Sequence, residues 1–328
     1  MLLLIKKPSR NKARTFLSVI LLSKAVRFGR YILEADMRIL FATDGSEPSL
    51  QAMDLLLSLE FGPEDSFAIL HVLKEFVLPD TIDPNRDFRK AGKAAAKRLV
   101  ADVAEKFRGA GLDAEEVVRE GDPAKEITEA IAEFRPELAV MGHKGHTGLG
   151  RFLLGSVSNN VMRHGESSVL IVRGRMSGKP VKALYCTDGS LHAKYARDLF
   201  MRLPFPPDTE VDVLSVADMQ VSSLPEQYYP YSETSTMMAE LRGHLMEQAE
   251  GYVAEDAKAL RDRFRTVREH VTVGAPESEI LSAIDEMAPD ITVMGSSGMR
   301  GIKGILVGDV SQRVVKHARN SVLVGKMG

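Results

Sequence analysis

The sequence predicts an α/β molecule of two tandem domains, each a five-stranded parallel sheet flanked by helices, and two observations carry that prediction. The first is an internal repeat, which is sought before local structure because missing it miscalls the architecture. Leu40-Phe-Ala-Thr-Asp-Gly-Ser46 returns as Leu184-Tyr-Cys-Thr-Asp-Gly-Ser190 at an offset of 144. Gly121-Asp-Pro123 and Val140-Met-Gly142 return as Gly274-Ala-Pro276 and Val293-Met-Gly295 at an offset of 153. The second observation is the alternation, within each copy, of short apolar runs with longer helical patterns, the signature of βαβ connections.

In the first copy strands are expected near 37–43, 66–73, 114–120, 138–142 and 168–173, with helices near 47–59, 88–109, 123–134 and 156–164. Met37-Arg-Ile-Leu-Phe-Ala-Thr43 reads as the first strand, Gly45 permits the turn out of it, and Ser46 or Glu47 opens the helix. The second copy repeats the pattern with strands near 181–187, 210–216, 267–273, 290–294 and 321–325. The change of offset requires nine extra residues between about 217 and 273, expected in the Pro/Tyr/Ser-rich stretch 222–236. That stretch, with Tyr228, Tyr229 and Tyr231, reads as an exposed variable loop, the alternative being a cover for the second pocket or a partner surface. The pattern near 236–265 reads as a helix whose alternating charges face solvent. The domains are thus 37–173 and 181–328, joined by the linker 174–180 and preceded by a basic extension, 1–36.

Composition bounds the function. At 44% hydrophobic and 27% charged, the 328 residues are those of an ordinary globular protein. The first 36 residues hold eight basic side chains against Glu34 and Asp36, a charge of +6, so the remainder carries −8 of the net −2. A mildly acidic body does not offer the phosphate-neutralising surface of a nucleic-acid binder. The apolar run 16–22 is too short to span a membrane and lacks a cleavage site, so 1–36 reads as a dispensable extension or a membrane-surface or targeting segment. A single cysteine, Cys186, excludes an internal disulfide and a multi-Cys metal site and fits a cytoplasmic location.

In an open parallel sheet, ligands bind beyond the carboxyl ends of the strands where strand order reverses. Thr43-Asp44-Gly45-Ser46 leaves the first strand there, and Gly142-His-Lys-Gly145-His-Thr-Gly148-Leu-Gly150 leaves the fourth. The second segment runs on to Gly155-Ser-Val-Ser158 and enters a helix. Glycines let backbone N–H groups approach a ligand, and a helix N-terminus favours anions, so a phosphate chain is the expected guest. Tight turns and an ordinary cap at Ser156 would account for the same residues without a ligand.

As a pattern the loop is G-x2-G-x9-G-S, fixed by Gly142, Gly145, Gly155 and Ser156. It resembles the ATP-binding motif of the universal stress protein family. So do the Asp-Gly-Ser after the first strand, His71-Val72 on the second, Gly121-Asp-Pro123 and the closing strand Ser168-Val-Leu-Ile-Val172. The resemblance covers 37–328 as two consecutive copies and implies Rossmann-like domains of the adenine nucleotide alpha hydrolase kind. It implies that Asp44 and the backbone near Val72 hold ribose and adenine, that Thr43 and His71 belong to the same nucleotide-binding set, and that Met141 lines the pocket. Gly142, Gly145, Gly155, Ser156, Val157 and Ser158 would hold the phosphates of ATP, with or without Mg²⁺. It also implies pairing through the last strand, which copy one and copy two could satisfy as an internal pseudo-dimer; a homodimer of chains stays open.

The second copy keeps Asp188, Gly295, Gly298 and Gly308, but Asp309 stands where Ser156 stands, and Ser215 replaces His71. A carboxylate there occupies the anion site, and two like charges ~4 Å apart repel by about 1 kcal/mol in water and about 4 at an effective dielectric of 20. The expectation is therefore a competent first site and a weak or degenerate second one. His143-Lys-Gly-His146 matches a nucleotidyltransferase signature but follows the fourth strand rather than the first. Lys144 and Arg151 are better candidates for phosphate contacts, with solvated loop charges as the equal alternative, and the loop does not satisfy G-x4-G-K-[ST]. No third ligand accompanies His143 and His146, so a protein-held metal is not expected. A nucleotide-dependent regulator is the leading reading, with a nucleotide-free interaction module or a slow ATPase or adenylyl-transferring enzyme as alternatives.

Overall fold

The computed structural model describes residues 36–74, 87–145, 154–175, 180–218, 231–298 and 307–327, with backbone alone for 231–236. Expectations for the basic extension, for His146, Gly148, Gly150 and Arg151, for most of the linker and for Tyr228 and Tyr229 lie outside the described residues.

The first strand shows how the layers arise. In β1 (Arg38–Ala42), every residue after Arg38 is buried, as expected of a central parallel strand covered on both faces. Ile39 and Phe41 point to one side, where α1 (Glu47–Ser58) and α2 (Asp87–Gly109) bring Leu56, Val100 and Phe107. Leu40 and Ala42 point to the other, against α3 (Pro123–Phe134) and α4 (Ser156–His164), which bring Ile131, Val161 and Met162. The remaining strands of the copy are β2 (Ser66–Lys74), β3 (Asp113–Gly121), β4 (Leu138–Gly142) and β5 (Ser168–Val172). In the second copy β6 (Lys182–Cys186), β7 (Glu210–Asp218), β8 (Thr266–Gly274), β9 (Ile291–Gly295) and β10 (Ser321–Gly325) repeat them. Its helices are α5 (Leu191–Arg202), α6 (Tyr231–Leu260), α7 (Pro276–Met287) and α8 (Asp309–His317).

The two expected sheets are one. Strand order is β3-β2-β1-β4-β5-β10-β9-β6-β7-β8, parallel within each copy and antiparallel only where β5 meets β10, with Leu323 opposite Leu170. Strand order reverses between β1 and β4 and again between β6 and β9. Two buried cations reach across the junction. Arg173 donates through Nη2 to the Val315 carbonyl of α8, and Lys326 donates through Nζ to the Met162 and Gly165 carbonyls at the end of α4. Each copy thus supplies a positive charge to the negative end of the other's last helix.

The nine extra residues are not in the loop between β7 and α6. That connection, 219–230, is as long as its counterpart 75–86, since β2 and β7 end, and α2 and α6 begin, at the same offset. The additions lengthen the helix, 30 residues in α6 against 23 in α2, and the exit turn, 261–265 against 110–112. Tyr231 accordingly begins the helix rather than belonging to the loop.

Candidate functional site

The first site forms where β1 and β4 part. Thr43 is held by its N–H to the Leu70 carbonyl at 2.9 Å and by its hydroxyl to Ser49 Oγ at 3.0 Å. Gly45 turns the chain at φ 75°, and Asp44 Oδ1 accepts from Ser46 N–H at 3.0 Å. The His71 ring donates from Nδ1 to the Thr43 carbonyl at 2.8 Å, which gives that side chain a role in fixing the loop.

The second wall comes from the exit of β4. A Cβ on Gly142 would fall 2.7 Å from the Pro48 carbonyl carbon, so only glycine lets α1 seat against this strand end. A Cβ on Gly145 would overlap Asp44 Oδ2, which places the two loops in contact. Gly155 N–H donates to the His143 carbonyl at 2.7 Å, and Ser158 Oγ donates to the Gly142 carbonyl at 2.8 Å, folding the start of α4 back onto the loop. Gly155, not Ser156, is the cap residue; Ser156 is the first residue of the helix. The first-turn amides of Ser156, Val157 and Ser158 have no acceptor within the helix and point out of its N-terminus. Met141 is buried beneath this frame, and Val72 and Val157 are partly buried beside it.

His143 lies within the frame but packs inward. The residue is 7% exposed, and burial, with the Arg173 charge nearby, pulls its pKa down to about 4. It is a neutral packing residue.

The second copy rebuilds the same frame. Asp188 Oδ1 accepts from Ser190 N–H at 3.1 Å, a Cβ on Gly295 would fall 2.7 Å from Ala193 N, and Gly308 N–H donates to the Ser296 carbonyl at 2.7 Å. Ser311 repeats Ser158, donating to the Gly295 carbonyl at 2.8 Å, and a Cβ on Gly298 would crowd Asp188 Oδ2 as Gly145 would Asp44. Asp309 is the first residue of α8, and Ser215 is buried where His71 stands in copy one. Beneath this frame lies a cavity of about 440 Å³ bordered by Asp188, Gly298, Gly308 and Asp309. Cys186 borders it, and burial pushes its thiol up to about 12, so the side chain is an inert wall.

Several contributors are not among the motif residues. Tyr252 of α6 packs its ring against Gly189, where Leu99 meets Gly45 in copy one. Asp256, one turn on, is wholly buried and accepts from Thr187 Oγ1 at 2.6 Å, Tyr185 Oη at 3.1 Å and Arg197 Nη1 at 2.6 Å. The α6 charges therefore do not all face solvent. Among the described residues no three His, Cys, Asp or Glu side chains are gathered to hold a metal, and no helix is long and apolar enough to cross a membrane.

The model of the universal stress protein family matches residues 37–173 and again 181–326. Universal stress protein YxiE of Bacillus subtilis is 32% identical over 148 residues, covering 42% of this chain and 98% of its own. A solved universal stress protein of Archaeoglobus fulgidus, 23% identical, covers 89% of this chain and 98% of its own at a TM-score of 0.60, a likeness of fold. A universal stress protein solved in complex with cAMP is 26% identical and covers 42% of this chain and 98% of its own, with a TM-score of 0.30.

Proposed function

This chain belongs to the universal stress protein family, and from that premise we propose that it is a nucleotide-dependent stress-response regulator in the cytoplasm whose first copy binds ATP. The observation that carries the reading is the convergence of Asp44, Gly145 and the α4 N-terminus on one strand-order reversal. Gly145 and Gly155 leave the space a Cβ would fill, and α4 presents N–H donors at the positive end of its dipole, so the residues present fit a phosphate chain. Asp44 and the backbone near Val72 would take ribose and adenine. Gly142, Gly145, Gly155, Ser156, Val157 and Ser158 would take the phosphates, and Mg²⁺ would enter with the nucleotide. A bound nucleotide acts by stabilising one conformation or partner surface of the chain. The second copy, with Asp309 at the anion position, is the weak site.

Calorimetric titration of the full chain with ATP, together with chromatography of nucleotide released on denaturation, tests this. The expected result is about one ATP per chain, with affinity lost by more than tenfold in Gly155→Asp, equivalent to about 1.4 kcal/mol or more. Two equal sites would overturn the asymmetry. No heat from ATP at millimolar concentration would overturn nucleotide binding, and cAMP in the same titration distinguishes a cyclic nucleotide from ATP.

A further inference from the structure

The helix that completes the first copy's frame ends on a residue of the second copy. At nine residues, α4 is too short to hold its place without tertiary anchors. At its start the anchors lie within the frame: Gly155 N–H on the His143 carbonyl at 2.7 Å and Ser158 Oγ on the Gly142 carbonyl at 2.8 Å. Along its inner side Val161 and Met162 are buried. At its end the Val161 carbonyl is taken by Gly165 N–H at 2.8 Å, while the Met162 and Gly165 carbonyls both accept from Lys326 Nζ, the latter at 2.6 Å.

Lys326 is itself held on both sides. Its own N–H donates to Ser168 Oγ at the start of β5, at 3.1 Å, and the preceding Gly325 carbonyl accepts from Ser296 N–H in the second frame, at 2.8 Å. The residue is buried, 3% exposed, and its side-chain partners are helix-end carbonyls rather than a carboxylate. Burying an ammonium group costs hydration that an apolar side chain would not lose. What the cation supplies there is donors to two carbonyls and a charge at the negative end of the α4 dipole. Arg173 repeats the device in the other direction, donating to the Val315 carbonyl near the end of α8.

We propose that Lys326 is a positioning residue for the first copy's ligand site, so that the second copy sets how tightly the first one binds. The rise of an α-helix puts the Lys326 contacts on the order of 10 Å from the first-turn amides, too far to touch a ligand there. Lys326 acts instead on the helix to which those amides belong. Seated at both ends, α4 holds the Ser156, Val157 and Ser158 amides in one direction; released at its end, it can pivot about the frame and turn them away from a bound phosphate. The part of this inference that concerns ATP rests on the first copy being an ATP site, whereas the part that concerns α4 does not.

Calorimetric titration of full-length variants with ATP tests the first part. Lys326→Met is expected to weaken ATP by more than about threefold, and Lys326→Gln should do the same if the methionine variant misfolds. Lys326→Arg should keep the parent affinity, because Arg173 already makes the corresponding contact with α8. Lys316→Met, which removes an exposed charge of α8, should leave ATP binding unchanged. Hydrogen exchange of the ligand-free chains tests the second part. In Lys326→Met the amides of 160–165 are expected to exchange more than about threefold faster than in the parent, those of α3 to keep the parent's rates, and Lys326→Arg to restore α4. A lysine that served stability alone would speed both helices together. ATP affinity within about threefold of the parent, an equal loss in Lys316→Met, or α4 exchange that is unchanged or raised no more than in α3 would each overturn the proposal. A parent chain that gives no heat with ATP overturns the ATP reading instead, and exchange in α4 then decides this one.

Discussion

Asp256, a buried carboxylate, has no counterpart in copy one. In copy one the equivalent space is filled by Val103, with Phe41 and Met53 where copy two has Tyr185 and Arg197. Thr43 turns its hydroxyl to Ser49, whereas Thr187, facing Ala193, turns to Asp256. Breaking a buried ion pair by removing one partner costs about 3–5 kcal/mol, whereas replacing the whole set by apolar groups is often neutral. Asp256→Val alone should therefore lower the unfolding free energy by about 3 kcal/mol, the lower end because Arg197 keeps Asp198 at 2.6 Å. Adding Tyr185→Phe, Arg197→Met and Ala193→Ser should recover the parent stability to within about 1 kcal/mol, measured by urea unfolding. A single variant as stable as the parent would show that the cluster contributes nothing.

Two other residues give the fold a pH signature. Burial lowers Lys326 from 10.5 to about 8, so between those values the unfolded chain binds more protons. Stability from this group then rises with pH across that window, by up to about 3 kcal/mol, with the full penalty present below pH 8. Lys326→Met should abolish the rise, checked by unfolding the two proteins in parallel from pH 8 to 10. His143, lowered from 6.5 to about 4 by burial and the Arg173 charge, has the same sign at acid pH. Stability falls as pH drops from 6.5 towards 4, and His143→Ser, the residue of copy two at Ser296, should flatten that slope.

At the scale of elements, the frame depends on close approach of strand and helix. Gly142→Ala would drive a Cβ to 2.7 Å from the Pro48 carbonyl carbon and 2.8 Å from Ser49 N, backbone atoms that move only if α1 moves. Such overpacking costs about 1–3 kcal/mol, and thermal unfolding of the variant measures it. These glycines were legible in the sequence because the requirement they meet is local and recurs at fixed spacing in both copies. The strands were legible for a similar reason: repeated apolar runs fall within a residue or two of β1 to β10. The start of α6 was not, because Ser232 and Thr234 read as loop composition, whereas the helix begins at Tyr231, directly after Pro230. Nor was Asp256. It sits on the stripe Ala249, Val253, Ala257 and Leu260 that faces the sheet, but the alternating charges around it read as a wet surface. The contributions of Tyr252 and Asp218 to the second cavity depend on which helix face turns inward and where a strand ends, facts that no motif spacing encodes.

At the scale of the whole molecule, the pairing of β5 with β10 makes one sheet from two repeats, and the site frames stand on either side of that junction. All five residues of β5 are buried in the intact chain, as are those of β10. A first copy expressed alone, residues 37–175, would therefore expose Val169, Leu170, Ile171 and Val172 on a straight edge with unpaired N–H and carbonyl groups, an arrangement that favours pairing with another chain. It would also lose Lys326 from the Met162 and Gly165 carbonyls and leave Arg173 without the Val315 carbonyl. A second copy of the same half can repair both losses, because Arg173 occupies the position that Lys326 holds in copy two and can reach the end of a neighbour's α4 as it reaches the end of α8. The isolated half is expected to sediment as a dimer, and Leu170→Lys, which places a charge in the core beside the pairing strand, should prevent assembly. A half that sediments as a stable monomer would mean that the helical layers alone hold each copy, and that the junction serves to set the two sites at a fixed spacing rather than to complete the fold.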